Sequence, residues 1–204
     1  MHEFEKALLN YYSPEQLAAI QQKKIGIAGA GGLGSNIAVC LVRSGFVNFE
    51  IIDSDVVEIK NLNRQYYFLD EVGKPKVAVL TERLKQINPA VRVKSAKERI
   101  KAENIANYFA DRDVVFEAFD NVESKTLLME ALGNSDKLLV FGSGMAGISN
   151  QNELKIKKLR ENIFLVGDGI TPVGQANPPL APRVVACAAL MASVVLEETL
   201  KNIS

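Results

Sequence analysis

Along this chain, short apolar runs alternate with stretches in which apolar residues return every three or four positions, the rhythm of strands followed by amphipathic helices. Ser13, Pro14 and Gln16 stand as N-cap, first helical residue and capping partner, so a short helix is predicted over about 14–22. A first strand follows at 25–28, then a glycine run, then a helix at about 34–44 closed by Gly45 in a left-handed position. A second strand at 49–53 leads into a polar loop with Asp55, Asn61, Asn63 and Arg64. Val77, Leu80, Leu84 and Ile87 share one face of a helix at about 75–87. Strands near 91–95, 114–119 and 138–141, with helices near 103–110 and 122–132, continue the alternation.

Strands and helices in this order require right-handed crossovers and a mainly parallel sheet covered on both faces. The fold class is therefore α/β, a Rossmann-like doubly wound sheet. After Gly147 the pattern changes: 153–157 and 163–166 read as short strands, antiparallel additions to the sheet edge. The stretch 167–181 is rich in proline and glycine and reads as a surface loop, after which Pro182 starts a final helix. No repeat or linker interrupts the chain, so one domain over 1–204 is expected, with a helical N-terminal segment over about 1–22.

Composition narrows the chemistry. The 24 basic and 24 acidic side chains cancel, leaving no long-range field to gather DNA or coat an anionic membrane. The run 184–196 is apolar except for Ser193, but is shorter than the ~20 residues that cross a bilayer. The two cysteines, Cys40 and Cys187, lie in apolar helical stretches, which excludes paired Cys ligands for zinc and fits a reducing, cytoplasmic setting. The single histidine is His2, so no imidazole chemistry is expected.

Gly29, Gly31 and Gly34 fit G-x-G-x-x-G directly between strand and helix, where a phosphate can approach the backbone and meet the free N–H groups of a helix N-terminus. Asp53 ends the next strand, placed to accept ribose hydroxyls. These two motifs alone support a nicotinamide dehydrogenase equally well. The segments downstream break the tie: Asp55, then Asn-Leu-Asn-Arg-Gln at 61–65, Gly-Lys-Pro-Lys at 73–76 and Phe-Asp-Asn at 119–121. Arg64 and Lys76 offer two cations for the β and γ phosphates of a triphosphate, and Asp120, just past the fourth strand, offers oxygen ligation for magnesium.

This series, GAGGLG, DSDVVEIKNLNRQ, VGKPK and FDN in order, resembles the ThiF/MoeB/HesA family, the bacterial relatives of ubiquitin-activating enzymes, over about 24–192. With the Ala-Pro-Arg-Val stretch at 181–184, the likeness is strongest to short ThiF-like adenylyltransferases of thiamine biosynthesis. The resemblance implies that ATP lies across the glycine turn and that the C-terminal Gly-Gly carboxylate of a ubiquitin-like sulfur carrier (ThiS-like) is adenylated, releasing pyrophosphate. On that likeness Gly31 and Gly32 contact phosphate, Asp53 the ribose, Asn61 and Arg64 the polyphosphate, and Lys76 the β and γ phosphates. Asp120 holds magnesium and Asn121 assists near the adenosine, while Gly29, Gly34, Asp55 and Gln65 complete the nucleotide site. A homodimer is also implied, and a separate sulfur donor fits a chain whose cysteines both read as core.

No arginine precedes Arg43, whereas members of the family often carry one near the N-terminus that reaches the partner's ATP. Arg183 at the start of the last helix is a candidate substitute, or a contact for the carrier's tail. Two alternatives share the architecture: adenylation of another carboxylate, as in tRNA-modifying dehydratases of the superfamily, and a non-catalytic binding partner.

Overall fold

The computed structural model describes residues 2–119, 122–148, 151–171 and 173–203, with the side chains of Val122 and Gln151 excepted. Among these residues seven strands form one sheet: β1 (Lys24–Ala28), β2 (Asn48–Ile52), β3 (Arg92–Ala96), β4 (Val114–Glu117), β5 (Leu138–Gly142), β6 (Lys155–Arg160) and β7 (Ile163–Gly167). Their order is β3-β2-β1-β4-β5-β7-β6, and every pairing is parallel except β6 with β7.

Among the described residues seven α-helices accompany the sheet: α1 (Glu3–Leu8), α2 (Pro14–Gln22), α3 (Gly32–Arg43), α4 (Lys76–Ile87), α5 (Ala102–Phe109), α6 (Val122–Leu132) and α7 (Ala181–Leu200). Each face of the sheet has its own apolar layer. On one, α3, α7, α4 and α2 cover Ile25, Ile27, Ile51, Phe116 and Val140; on the other, α5 and α6 cover Ala28, Ile52, Val115, Leu139 and Phe141. The central strands are apolar without alternation because alternate side chains face two dry layers.

The N-terminal helical segment consists of two helices, and the second starts as its residues predict: the Ser13 side chain accepts from the Gln16 amide at 3.2 Å while Gln16 Oε1 accepts from the Ser13 amide at 3.0 Å. Gly45 follows α3 with φ +101°. The C-terminal strands differ from expectation. β6 begins at Lys155, because 151–153 form a 3-10 turn, and it alone runs antiparallel. β7 pairs in parallel with β5, so the hairpin returns the chain to the sheet's dominant direction. β6 is one of the two edges, exposed at every residue, and its four cations are the usual protection of an edge against pairing with another chain.

Because β2 and β3 lie on one side of β1 and β4 on the other, the chain reverses its lateral progress between β1 and β4. The crevice beyond the carboxyl ends of those strands is where open α/β sheets receive ligands.

Candidate active site

The glycine turn opens this crevice. Gly29 follows β1 with φ +106°, and a Cβ there would lie 2.7 Å from the Ala118 carbonyl oxygen. At Gly34 the constraint is tighter still, since a Cβ would stand 1.8 Å from the Gly29 carbonyl oxygen, so α3 can begin here only over a glycine. Gly31 is the N-cap of α3 and supplies no side-chain cap, which leaves the first amides of the helix directed at the crevice.

Beyond the turn lies a cleft of about 750 Å³ whose lining includes Gly29, Gly31, Gly32, Asp53, Asp55, Arg64, Gln65 and Lys76. Eight of the residues expected from the motifs therefore converge, although they are drawn from the turn after β1, the head of α3, the segment after β2, the 61–65 loop and α4. Asp53 accepts from the Ala30 amide at 2.6 Å through one oxygen and from the Asp55 amide at 2.7 Å through the other, so it braces the turn while facing the cleft. Lys76, only 4% exposed, puts Nζ 2.8 Å from Asp55 Oδ2. Arg64 lines the same wall, with Nη1 donating to Asn63 Oδ1 at 2.7 Å. Gln65 is buried beside them, and its Oε1 has no protein partner among the described residues, an unused acceptor in the wall of a polar cleft.

The other expected residues are placed differently. Gly34 serves the turn geometry. Asn61, expected as a polyphosphate ligand, is buried, and its Oδ1 accepts from the Glu58 amide at 3.0 Å; it shapes the loop that carries Arg64. Asp120 and Asn121 lie outside the described residues. Arg183 departs furthest from expectation: its side chain is 1% exposed and is bound to Asp168 Oδ2 at 2.8 Å and the Gly144 carbonyl at 3.2 Å. A side chain so enclosed holds the base of the 168–180 segment rather than meeting an incoming tail. Burial pushes the Asp168 carboxyl up, but the bonds from Thr171 and the Ile170 amide, with the Arg183 cation, outweigh it and hold Asp168 below the usual carboxylate range.

Several contributors have no motif of their own. Ser35 Oγ donates to the Gly31 carbonyl at 2.7 Å and accepts from the Tyr66 amide at 3.0 Å. Asn36 Nδ2 donates to the carbonyls of Gly32 and Arg64 at 2.7 and 2.9 Å. Two polar residues in the first turn of α3 thus stitch the glycine turn to the basic loop. Asn63 reaches the other way, donating to the Pro179 carbonyl at 3.0 Å in the segment that borders the cleft. On the floor, Lys125 Nζ donates to Glu117 Oε2 at 2.6 Å and to the carbonyls of Gly142 at 2.9 Å and Phe119 at 3.1 Å. Glu117 is fully buried, and desolvation raises its pKa despite that cation. The signal was present in Val-Val-Phe-Glu-Ala-Phe at 114–119, one carboxylate inside a buried apolar strand.

Among the described residues no group of three or more His, Cys, Asp or Glu could hold a metal by itself. Magnesium bound with a nucleotide needs only one or two carboxylates, the phosphates supplying the rest. Arg64 and Lys76 line the cleft beside the glycine turn, an arrangement whose chemistry suits a phosphate-bearing ligand.

The chain belongs to the ThiF family, which it matches over residues 5–204. It is 34% identical over 137 residues to a sulfur carrier protein adenylyltransferase of Thermus thermophilus, covering 67% of this chain and 51% of that protein. It is also 32% identical over 154 residues to a tRNA threonylcarbamoyladenosine dehydratase of Haemophilus influenzae, covering 74% of this chain and 59% of that protein. The chain thus spans between half and three-fifths of the length of these curated relatives. Its fold matches the Escherichia coli tRNA N6-threonylcarbamoyladenosine dehydratase solved in complex with ATP, with a TM-score of 0.87 and 24% identity over 98% of this chain and 94% of that one. No helix among the described residues is long and apolar enough to cross a membrane.

Proposed function

We propose that this protein adenylates a carboxylate with ATP, and that its acceptor is the C-terminal Gly-Gly of a ubiquitin-like sulfur carrier of the thiamine type. The observation that carries the reading is the convergence of the uncapped head of α3, Arg64 and the buried Lys76 on one cleft. Two cations beside the helix head, one of them shared with Asp55, suit a triphosphate better than a dinucleotide's two phosphates.

The chemistry needs little else from the protein. A carboxylate is ionised at neutral pH and requires no general base. One of its oxygens attacks the α phosphorus in line, the bond from that phosphorus to the bridging oxygen breaks, and pyrophosphate leaves carrying the electron pair. The helix head and Gly31 and Gly32 would hold the phosphates, Asp53 the ribose, and Arg64 and Lys76 would neutralise the departing pyrophosphate, so positioning and charge supply the acceleration. Asp120 is the residue that would hold magnesium, which adds charge neutralisation on the phosphates when bound.

The likeness to a tRNA threonylcarbamoyladenosine dehydratase supports a second reading, adenylation of another carboxylate. The two are separated by ATP–pyrophosphate exchange measured with a purified carrier and with tRNA in turn. Exchange that depends on the carrier and falls in Lys76→Ala and Asp120→Ala supports the first reading. Exchange driven by tRNA replaces the acceptor, and undiminished exchange in both variants overturns the site. A homodimer belongs to the same reading and is tested by sedimentation.

A further inference from the structure

The buried hydroxyl of Tyr67 is not part of the cleft lining, yet its partner is the middle of the glycine turn. Tyr67 is 5% exposed, and its hydroxyl donates to the Ala30 carbonyl at 2.7 Å. The Lys76 carbonyl lies 3.4 Å from the same oxygen. One O–H can serve one carbonyl well, so the short contact is the bond, and the first residue of α4 rests against it.

Ala30 is thereby held on both sides. Its amide donates to Asp53 Oδ2 at 2.6 Å, and its carbonyl accepts from Tyr67. The two tethers come from different segments, Asp53 from the end of β2 and Tyr67 from the loop that has just presented Arg64 and Gln65. A buried tyrosine hydroxyl needs some partner, and any carbonyl would satisfy it. Here the partner is the single residue between Gly29 and Gly31, whose placement sets where the α3 amides point. Burial, followed by the nearby carboxylates of Asp53, Glu71 and Asp55, holds the Tyr67 phenol well above its ordinary pKa, so it remains a donor.

We infer that Tyr67 is a positioning residue for nucleotide binding: its hydroxyl fixes the glycine turn relative to the loop carrying Arg64 and the start of α4 carrying Lys76. This rests on the adenylation reading for the identity of the ligand. The hydroxyl touches no ligand; it removes the freedom of the turn that a triphosphate would otherwise have to quench on binding.

The experiment compares wild type with Tyr67→Phe, using MgATP as the probe. Calorimetry on the protein without carrier is expected to show MgATP binding weakened about tenfold in the variant, the scale of one buried hydrogen bond lost. In carrier-dependent exchange the KM for ATP should rise by a similar factor with kcat within about twofold, because the turn grips ground state and transition state alike. A merely structural tyrosine would lower the active fraction, and with it kcat, leaving KM in place. As a measurement independent of turnover, hydrogen exchange in the ligand-free variant should speed up at the Ala30 amide.

Equal MgATP affinity and equal KM in Tyr67→Phe would overturn the inference while leaving adenylation intact. Where Tyr67→Phe is too unstable to assay, the comparison is repeated at a lower temperature at which urea unfolding shows both proteins folded; equal MgATP affinity there also overturns the inference. A wild-type protein that binds no MgATP overturns the adenylation reading and this inference together.

Discussion

The ammonium of Lys125 lies 2.6 Å from the carboxylate of Glu117, which is fully buried at the end of β4, and it also spans to carbonyls at the ends of β4 and β5. One ion pair therefore clamps the floor of the cleft. Truncating the cation in Lys125→Met should cost about 3 kcal/mol or more, since it leaves a buried charge unpaired. Adding Glu117→Gln should restore most of that loss, as read by urea unfolding of the single and double variants.

The pH dependence of this pair has a definite sign. The folded-state pKa of Glu117 is raised by burial, so between the ordinary carboxylate value and the raised one the folded protein binds more protons than the unfolded chain, and stability falls as pH rises. Removing Lys125 raises that pKa further and steepens the fall. Urea unfolding of Lys125→Met at pH 5 and pH 8 should show the larger deficit at pH 8; equal deficits would contradict the account.

Arg183 and Asp168 make the second buried pair, 2.8 Å apart with side chains 1% and 3% exposed. Arg183→Met should destabilise by about 3–5 kcal/mol and expose the 168–180 segment to limited proteolysis. Asp168 is held below the usual range, so its contribution is present above the ordinary carboxylate pKa and is lost as pH falls through the lower folded value. Acid unfolding should therefore begin at higher pH in the variant. If Arg183→Met instead kept full stability and lost only carrier kinetics, the assignment to a tail contact would return.

Gly34→Ala would place a methyl 1.8 Å from the Gly29 oxygen, a contact only backbone movement relieves. The expected result is a loss of about 1–3 kcal/mol or more together with loss of measurable MgATP affinity by calorimetry. Gly174→Ala, which meets nothing within 4 Å, is the matched control and should behave as wild type.

Neither cysteine is disposed to carry an acyl group. Burial pushes the Cys187 thiol up to about 12 and raises that of Cys40. Iodoacetamide at about pH 7.5, well below the ordinary thiol pKa, should leave Cys187 unlabelled in the native protein, and Cys187→Ala should retain pyrophosphate exchange. Rapid labelling of Cys187, or a thioester trapped on it, would require a relay step on this chain.

Much of the site is legible in the sequence because its parts are local. The glycines at 29, 31 and 34, Asp53 at a strand end and the Arg64 loop are each read within a few residues, and chain order implies that a doubly wound sheet will collect them at one edge. Asn61 and Arg183 show where that reading stops. Both are polar residues beside functional motifs, yet one caps its own loop and the other pairs with Asp168, choices made by neighbours distant in the chain or by the turn itself.

Residue order by itself determined the strand and helix periods, the capped start of α2, the turn that only glycine can make and the set of charged residues that line the cleft, since all of these depend on backbone sterics and spacing over a few positions. Only the tertiary structure decided that β7 runs with β5, that Tyr67 and Asp53 grip Ala30 from two sides, and that Lys125 and Arg183 are committed to buried carboxylates. Each of those outcomes turns on which groups are desolvated together, and desolvation is a property of the packed molecule rather than of any segment.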